Sequence, residues 1–286
     1  MPTIITNRLG LPEAIVNAVK NDTYSGSGTS PSWKKANASV VGLLRPPQIA
    51  YLARGATIEE DVADRIWAML GSSVHTVLER AYAKATTDAK VELRLFTECN
   101  GWVVSGQFDV LENGVLSDYK LTSVYGSGGK IEWERQLNLL NLLCVRNGLK
   151  VEKLQSVLIF RDWRPREAAN KPTYPQSQIE VVPVRIWPIE EAEAFLLERV
   201  KMHQQEVPPP CTDEDRWAAP EKWALMQKGR KSAIKLYDKK PDMELQEKQY
   251  WEHRPATYRR CESYCSVAHL CPQWDNGRER DDPGAE

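Results

Sequence analysis

The chain has 286 residues, of which 42% are hydrophobic, and this apolar content is enough to build a substantial core. Its 38 basic and 39 acidic residues leave a formal net charge of −1, so the overall field would not attract a polyanion. No signal peptide and no apolar stretch long enough to span a bilayer are evident. We therefore expect a cytoplasmic protein that makes no membrane contact and keeps its cysteines reduced.

Composition changes along the chain suggest four regions. Residues 1–56 are predicted to be irregular, with a short helix near 12–20 and a Gly/Ser-rich stretch at 24–32. Residues 57–207 contain the regular apolar patterns and form the predicted core domain. The triple proline at 208–210 marks a boundary, and 208–274 is expected to be a helical segment. The polar tail 275–286 is expected to be disordered.

Within the core, helical and strand patterns are interleaved. Helices are predicted at about 57–85, 131–147 and 189–206, from apolar residues at helical spacing. Strands are predicted for VELRLFTEC, GWVVSGQFDVL, VLSDYKLTS, VEKLQSVLIFRDW and IEVVPVRIW. The sequence therefore predicts an α/β fold with a mixed sheet flanked by helices.

The first core helix carries a polar stripe. Gly71, His75 and Glu79 are four residues apart, so they lie along one side of the helix. An imidazole and a carboxylate would then face the same point, which makes His75 and Glu79 candidates for one site. A lone histidine on a helix is more often structural, and its neighbours decide between the two interpretations.

Two of the predicted strands carry acidic residues and a lysine around a tight turn. Asn113-Gly114 is a strong signal for a type I′ hairpin, which would place Asp109 and Asp118 on paired antiparallel strands. Asp118 and Lys120 are two apart and share a face, whereas the side chain of Tyr119 points the other way. Carboxylates suit Mg²⁺ or Mn²⁺, and the lysine could orient a water or a phosphate.

The second core helix places a glutamine near its apolar stripe. Gln136 lies among leucines, where its amide needs hydrogen-bonding partners. A bond to the backbone and a contact to a phosphate or a water are equally compatible with this position.

In order along the chain, Gly71-x₃-His75-x₃-Glu79, Gly106-x₂-Asp109, Asp118-Tyr119-Lys120 and Gln136 resemble the RecB-like branch of the PD-(D/E)XK nuclease superfamily. The resemblance covers roughly residues 40–160 and implies a restriction-endonuclease-like core. It implies His75, Asp109, Asp118 and the Tyr119 carbonyl as ligands of Mg²⁺ or Mn²⁺, Lys120 as the catalytic lysine and Gln136 as a DNA- or water-positioning residue. The chain departs from the family at Leu140, where the family has tyrosine, and it lacks the cysteine that often precedes the histidine helix.

The six cysteines fall into two groups. Cys99 ends a strand and Cys144 lies in an apolar helix, so both are expected to be core residues. The other four follow the triple proline or lie in RRCESYCSVAHLCPQW: Cys211, Cys261, Cys265 and Cys271. Such spacing can gather thiolates around a metal, and the resemblance implies a [4Fe–4S] cluster. Structural zinc, with His269 as a possible replacement ligand, is the alternative.

Two basic stretches could contact nucleic acid. One lies between 222 and 240 and includes Lys228, Arg230 and Lys231, and the other includes Arg161 and Arg164 beside Trp163. Cations next to aromatic rings suit a single strand, although solvated surfaces have the same composition.

Together with the resemblance, these features predict a metal-dependent DNA nuclease, and more specifically an exonuclease of phage or mobile-element DNA recombination or repair. Its partners would be single-stranded DNA or duplex ends, and a recombination protein is a further possible partner. The alternatives are a DNA-binding module that retains the nuclease fold but cleaves weakly, and an RNA- or nucleotide-directed hydrolase.

Overall fold

A computed structural model of the chain describes residues 3–21, 36–83 and 88–274. The chain divides into two compact units. The larger comprises Thr3–Arg45 and Glu59–Glu206, and the smaller comprises Met1–Pro2, Pro46–Ile58 and Val207–Glu286. Of the first 56 residues, the described stretches 3–21 and 36–45 belong to the larger unit and 46–56 to the smaller. The predicted Gly/Ser-rich stretch at 24–32 and the predicted disordered tail at 275–286 lie outside the described residues.

The regular elements follow in chain order. The α-helices are α1 Glu13–Lys20, α2 Val40–Leu44, α3 Pro47–Leu52, α4 Ile66–Tyr82, α5 Ile131–Arg146, α6 Pro165–Asn170, α7 Ile189–Gln204, α8 Asp213–Arg216 and α9 Arg259–Ser263. The strands are β1 Thr3–Thr6, β2 Ala38–Ser39, β3 Ile58–Asp61, β4 Lys90–Cys99, β5 Trp102–Glu112, β6 Val115–Thr122, β7 Lys153–Phe160, β8 Ile179–Val184, β9 Ala218–Ala219, β10 Lys222–Gln227, β11 Lys235–Tyr237, β12 Gln249–Arg254 and β13 Thr257–Tyr258.

The larger unit is built on a mixed six-stranded sheet, which confirms the predicted α/β class. Its order is β2-β5-β6-β7-β8, and β4 pairs with β5. The β6–β7 and β2–β5 pairs are parallel, whereas the β4–β5, β5–β6 and β7–β8 pairs are antiparallel. The parallel β6–β7 pair needs a crossover connection, and α5 provides it.

Two tight turns fix the register of the central strands. Asn113 and Gly114 have φ of 49° and 75°, the left-handed conformation that a type I′ turn needs, so the predicted hairpin is present. Asn100 and Gly101 make a second turn of the same kind, with φ of 47° and 75°, between β4 and β5. This second turn sets which residues of β4 lie opposite Asp109.

The core of the larger unit centres on α5. All residues from Leu137 to Cys144 are buried, because the sheet packs on one side of the helix and α2 and α7 pack on others. Leu137, Leu139, Leu142 and Leu143 are fully buried. Cys144 belongs to this cluster and Cys99 packs against it, so the prediction that both are core residues is confirmed. The predicted helices at 131–147 and 189–206 are confirmed as α5 and α7.

The predicted helix at 57–85 begins later than expected. Ile58–Asp61 is strand β3, Val62–Arg65 is a 3₁₀ turn, and α4 starts at Ile66. The reason is Asp61, whose buried carboxylate accepts bonds from the Thr6 hydroxyl and from the Arg8 and Ala63 N–H groups. These bonds cap the turn and hold the preceding residues in an extended conformation.

The smaller unit contradicts the prediction of a helical segment over 208–274. It contains a three-stranded antiparallel sheet in the order β11-β10-β12 and a short β13-β9 pair, while α8 and α9 are only four and five residues long. Aromatic residues at alternate positions decide the outcome. Trp223 lies directly across from Tyr237 on one side and His253 on the other, and such cross-strand pairs stabilise a sheet.

Within the described residues, the helices are too short or too polar for any of them to be a membrane-spanning segment.

Candidate functional site

The larger unit contains a cleft where two neighbouring strands separate. The β5–β6 pairing covers only Val110↔Ser117 to Glu112↔Val115, whereas β6 stays paired with β7 up to Thr122. Beyond that point β5 pairs with β2 instead, at Val104 and Ser105. The gap is an open cleft of about 450 Å³, and its lining residues are Ser39, Val40, Val41, Gly42, Arg45, His75, Arg94, Gly106, Gln107, Asp109, Asp118, Lys120, Gln136 and Leu140.

Asp109 occupies the point of separation. The residue is 7% exposed, and its Oδ2 accepts a hydrogen bond of 2.7 Å from the backbone N–H of Tyr119. The carboxylate thus replaces a backbone partner that β5 no longer supplies to β6. This bond involves the Tyr119 N–H and not its carbonyl. The role of the Tyr119 carbonyl as a metal ligand stays a prediction.

Asp118, Lys120 and Gln136 form a hydrogen-bonded triangle in the cleft. Lys120 Nζ donates to Asp118 Oδ1 at 2.9 Å and to Gln136 Oε1 at 3.1 Å, and Gln136 Nε2 lies 3.3 Å from Asp118 Oδ1. The second oxygen of Asp118, Oδ2, is buried and has no hydrogen-bond partner among the described residues. A buried carboxylate oxygen without a partner is costly, and a bound cation would satisfy it.

His75 reaches the cleft from α4, as predicted, and contacts two carboxylates. Its Nδ1 lies 3.1 Å from Glu92 Oε1 and 3.5 Å from Asp109 Oδ1. His75, Glu92 and Asp109 each offer a ligand atom within 4.8 Å of the other two. An imidazole and two carboxylates at this separation can bind a divalent cation.

Glu92 is a site residue that the sequence analysis missed. It lies in β4 between Val91 and Leu93, which pair with Val110 and Phe108, so Glu92 faces Asp109 across the two strands. Its φ is 51°, an unfavourable backbone conformation for a residue with a long side chain. The carboxylate is 9% exposed and is held by His75 and by Gln107 Nε2 at 2.6 Å. The Asn100-Gly101 turn was the signal that could have revealed this pairing.

Glu79, in contrast, is not part of the cleft. Its side chain is exposed and does not belong to the cleft lining, so the prediction that it joins His75 at one site is wrong. The spacing of four residues aligns side chains along a helix but does not make each of them face the sheet. The acidic partner of His75 comes from β4 instead.

The electrostatics of the cleft favour extra protons when no cation is bound. Burial, and then repulsion from Asp118, raise the pKa of Asp109, with only partial compensation from His75 and Lys120. Burial lowers the pKa of His75, but its bond to Glu92 and the charge of Asp109 outweigh this effect and the net shift is upward. Both shifts are what a crowded set of carboxylates produces without a counter-cation.

These residues fit a divalent cation. Three carboxylates and one imidazole surround the gap between β5 and β6, and the partnerless Asp118 Oδ2 supplies an unused ligand atom. Oxygen ligands of this kind suit Mg²⁺ and Mn²⁺, and the imidazole nitrogen favours the softer Mn²⁺.

The smaller unit brings the four predicted cysteines together. Cys211, Cys261, Cys265 and Cys271 line one cavity with Arg216 and Arg260. Gln273 joins the two ends of the segment, because its side chain accepts a bond from the Cys211 N–H and donates one to the Cys211 carbonyl, at 3.0 and 2.9 Å. His269, the possible replacement ligand, does not belong to the lining of this cavity.

The volume of the cysteine cavity suits a single metal ion, whereas the distances between its sulfur atoms do not. Its volume is about 20 Å³, which is room for a single ion. Among the described residues, however, no three of the sulfur atoms lie within 4.8 Å of one another, whereas tetrahedral zinc with 2.3 Å bonds brings its sulfurs to about 3.8 Å. The sulfur separations carry more weight, because these atoms are the ligands, and they are wider than a closed zinc site needs.

The cysteine cavity has anionic and cationic neighbours. Burial raises the pKa of Cys211 to about 12, with smaller contributions from Asp215 and the other three cysteines. Burial also raises the pKa of Cys265, while Arg260 opposes that rise. A metal group bound here would take the thiols as thiolates, so its binding would release protons.

No protein-family model and no curated protein matches the sequence. Among solved structures, the fold is similar to the crystal structure of SSO0001, with a TM-score of 0.49 and 14% identity over 91% of this chain and 94% of that chain.

The basic residues predicted to contact DNA are distributed over both units. Arg161 packs its guanidinium 4.3 Å from the centre of the Trp67 ring, and Arg164 precedes α6. Lys228, Arg230 and Lys231 lie in the exposed connection between β10 and β11. None of these five residues lines the cleft.

Proposed function

We propose that the protein is a metal-dependent DNA nuclease with a restriction-endonuclease-like core of the RecB-like type. The observation that carries the proposal is the meeting of His75, Asp109, Asp118, Lys120 and Gln136 in one cleft. These residues come from α4, β5, β6 and α5 and are far apart along the chain. Their positions along the sequence gave the resemblance, and the cleft gives them a common site.

The chain itself supplies orientation and positive charge at this site. Lys120 keeps its ammonium between Asp118 and Gln136, so it is aimed into the cleft and can donate to a phosphate oxygen or orient a water molecule. Arg45 and Arg94 line the same cleft and add positive charge against a phosphodiester.

His75, Glu92, Asp109 and Asp118 would hold the cation. When bound, a divalent cation supplies the activation of water and the neutralisation of charge on the phosphate. The buried Oδ2 of Asp118 and the shared contacts of Asp109 and Glu92 with His75 support this ligand set.

The test is cleavage of labelled single-stranded and duplex DNA with Mg²⁺ or Mn²⁺. We expect Asp118→Asn and Lys120→Met to lower the rate at least about a hundredfold, because each removes a preorganised charge at the reacting phosphate. The matched controls are Asp242→Asn and Lys90→Met, which change the same charges at exposed positions and should cleave as the wild type does. Wild-type protein that binds DNA without turnover in either cation would instead support a binding module that has kept the fold.

We propose further that the four cysteines hold a [4Fe–4S] cluster. The sulfur separations and the Cys271-Pro272 ending support this group over zinc, and Arg216 and Arg260 beside the cavity would offset the negative charge of either group. The measurement is the visible absorbance and the iron and zinc content of protein purified without oxygen. A colourless protein with one zinc per chain would overturn the assignment.

A further inference from the structure

The three-stranded sheet of the smaller unit carries a row of rings on one face. Trp223 on β10 lies directly across from Tyr237 on β11 and from His253 on β12. Directly opposed residues in antiparallel strands share a face, so these three rings stand side by side. The Trp223 and His253 rings are 4.7 Å apart with their planes tilted by 35°. We name Trp223, Tyr237 and His253 the ring row.

A second row lies behind the first on the same face. Leu225 pairs with Lys235 on β11 and Trp251 on β12, two residues along from the ring row. Trp251 meets Tyr237 edge-on, with 5.5 Å between the ring centres. Leu225 is buried beneath this arrangement, at 5% exposure. The rings of this face, which we call the platform, therefore pack against one another and over Leu225.

Lysine ammonium groups lie over two of the rings. Lys240 Nζ is 5.3 Å from the centre of the Trp223 ring, and Lys235 Nζ is 4.9 Å from that of Tyr237. Both distances are within the range of a cation–π interaction. Trp223 and Tyr237 thus each have a cation over the ring, whereas His253 has the carboxylate of Glu221 beside it. A ring with a nearby cation is the pairing that a nucleotide needs for its base and its phosphate.

The charge of residues 222–240 is mostly positive, whereas Glu221 precedes this stretch and Asp242, Glu244 and Glu247 follow it. Residues 222–240 contain seven basic residues and one acid, Asp238, in a chain whose net charge is only −1. Asp238 is paired with Lys222, so it does not neutralise Lys235, Lys239 or Lys240. At the other edge, Glu221 Oε2 lies 3.0 Å from His253 Nε2. The positive charge is therefore concentrated on the β11 side of the platform.

We propose that this face binds single-stranded nucleic acid. Its backbone would follow the cations of β11 and of the loops on either side, and its bases would stack on the ring row. A duplex suits the face poorly, because its bases are already stacked and paired. This inference adds a binding surface to the proposed nuclease and rests on that function only for the expectation that DNA is the partner.

Binding is measured on the full chain by fluorescence anisotropy with labelled oligothymidine and a labelled duplex, without added divalent cation. Cleavage is then not needed for the readout, so the outcome does not depend on whether the cleft hydrolyses DNA. Tyr237→Leu should weaken single-strand binding roughly five- to a hundredfold, because one base loses its stacking partner. Tyr237→Phe keeps the ring and should bind as the wild type does.

The cations are tested by the triple variant Lys235→Gln, Lys239→Gln and Lys240→Gln. The dependence of log affinity on log salt should fall by about 2 for three lost phosphate contacts. Lys90→Gln, Lys153→Gln and Lys201→Gln make the matched control, which removes the same charge from exposed positions of the larger unit. Equal loss in both triple variants, unchanged single-strand affinity in Tyr237→Leu, or an equal loss of duplex binding in Tyr237→Leu would each overturn the proposal.

Discussion

At the scale of single residues, the main feature of the cleft is that three largely buried carboxylates lie close together. Asp109 and Asp118 come from strands that separate, and Glu92 faces Asp109 from the third strand. The strained φ of Glu92, the raised pKa of Asp109 and the partnerless Asp118 oxygen all weaken the fold when no cation is present. Proteins retain such destabilising groups at functional sites, and a bound ligand can offset the lost stability.

The first prediction concerns pH. The pKa values of Asp109 and His75 are both higher in the folded protein than their ordinary values of 3.8 and 6.5. Above those ordinary values, the folded protein therefore holds more protons on these two groups than the unfolded chain does. Stability must then fall as the pH rises from those ordinary values up to the folded pKa values. Asp109→Asn removes the buried charge, so cation-free Asp109→Asn should unfold at a higher temperature than the wild type at about pH 8.

The measurement is thermal unfolding without divalent cations, at several pH values from about 5 to 8. Asp242→Asn, at an exposed position, is the control and should follow the wild type. Added Mn²⁺ should stabilise the wild type more than Asp109→Asn. A difference between wild type and Asp109→Asn that shrinks as the pH rises would contradict the assignment of the buried charge.

A second residue-scale prediction compares the contributions of Glu92 and Glu79 to Mn²⁺ binding. Glu92→Gln removes a carboxylate that contacts His75 and faces Asp109, and we expect it to weaken Mn²⁺ binding about ten- to a hundredfold. Glu79→Gln changes an exposed residue on the same helix as His75 and should leave Mn²⁺ binding within about twofold. Isothermal titration with Mn²⁺ gives both affinities. Loss in Glu79→Gln with none in Glu92→Gln would restore the sequence-based assignment.

At the scale of elements, the cleft depends on how closely α2 and α5 approach β5. A Cβ at Gly106 would lie 2.6 Å from Leu140 Cδ2 and 3.1 Å from Val40 Cγ2, so a side chain there would force Leu140 to shift. Gly71 on α4 is the opposite case, since a Cβ there would meet nothing within 4 Å. Among the described residues the close approach therefore occurs at Gly106, and none occurs at Gly71.

These two glycines make a paired prediction. Gly106→Ala should lower the free energy of unfolding by about 1–3 kcal/mol through overpacking. Gly71→Ala should raise it by up to about 1 kcal/mol, because alanine is the better helix former in an interior turn. Denaturant unfolding measures both. If Leu140 is the obstacle, Leu140→Ala should recover part of the loss in a double-mutant cycle. Additive effects of the two changes would contradict that contact as the cause.

Periodicity and turn residues were enough to predict α5, α7, the strands β4 to β8 and the hairpin at Asn113-Gly114. They also grouped Asp109, Asp118 and Lys120, because these positions depend on one local turn. Glu92 needed the register of a second hairpin, and the late start of α4 depended on long-range bonds from Asp61 to Thr6 and Arg8. The strands of the smaller unit were missed because they are short and highly charged, and pair through aromatic residues up to thirty positions apart.

At the scale of the whole molecule, the two units are stabilised differently. The larger has a continuous apolar core around α5, whereas the described part of the smaller has a cluster of three buried residues, Ala53, Ile58 and Val267, with Cys265 packed against it, and a few buried residues on β10. The cysteine cavity lies beside this small cluster, since Val267 also lines it. A unit with so little core depends on additional links, and a metal group bound by four cysteines is such a link.

The last prediction tests that dependence. Cys261→Ser should remove the metal group and expose 207–274 to limited proteolysis, while the fragment from the larger unit stays resistant because its core does not involve the cysteines. Cys99→Ser is the matched control, because Cys99 packs against the core of the larger unit and should leave the metal content unchanged. The measurements are iron and zinc content and the time course of proteolysis, read by mass spectrometry. A Cys261→Ser protein with lost metal but wild-type protection of 207–274 would show that the strands β10 to β12 hold the smaller unit together without the cysteines.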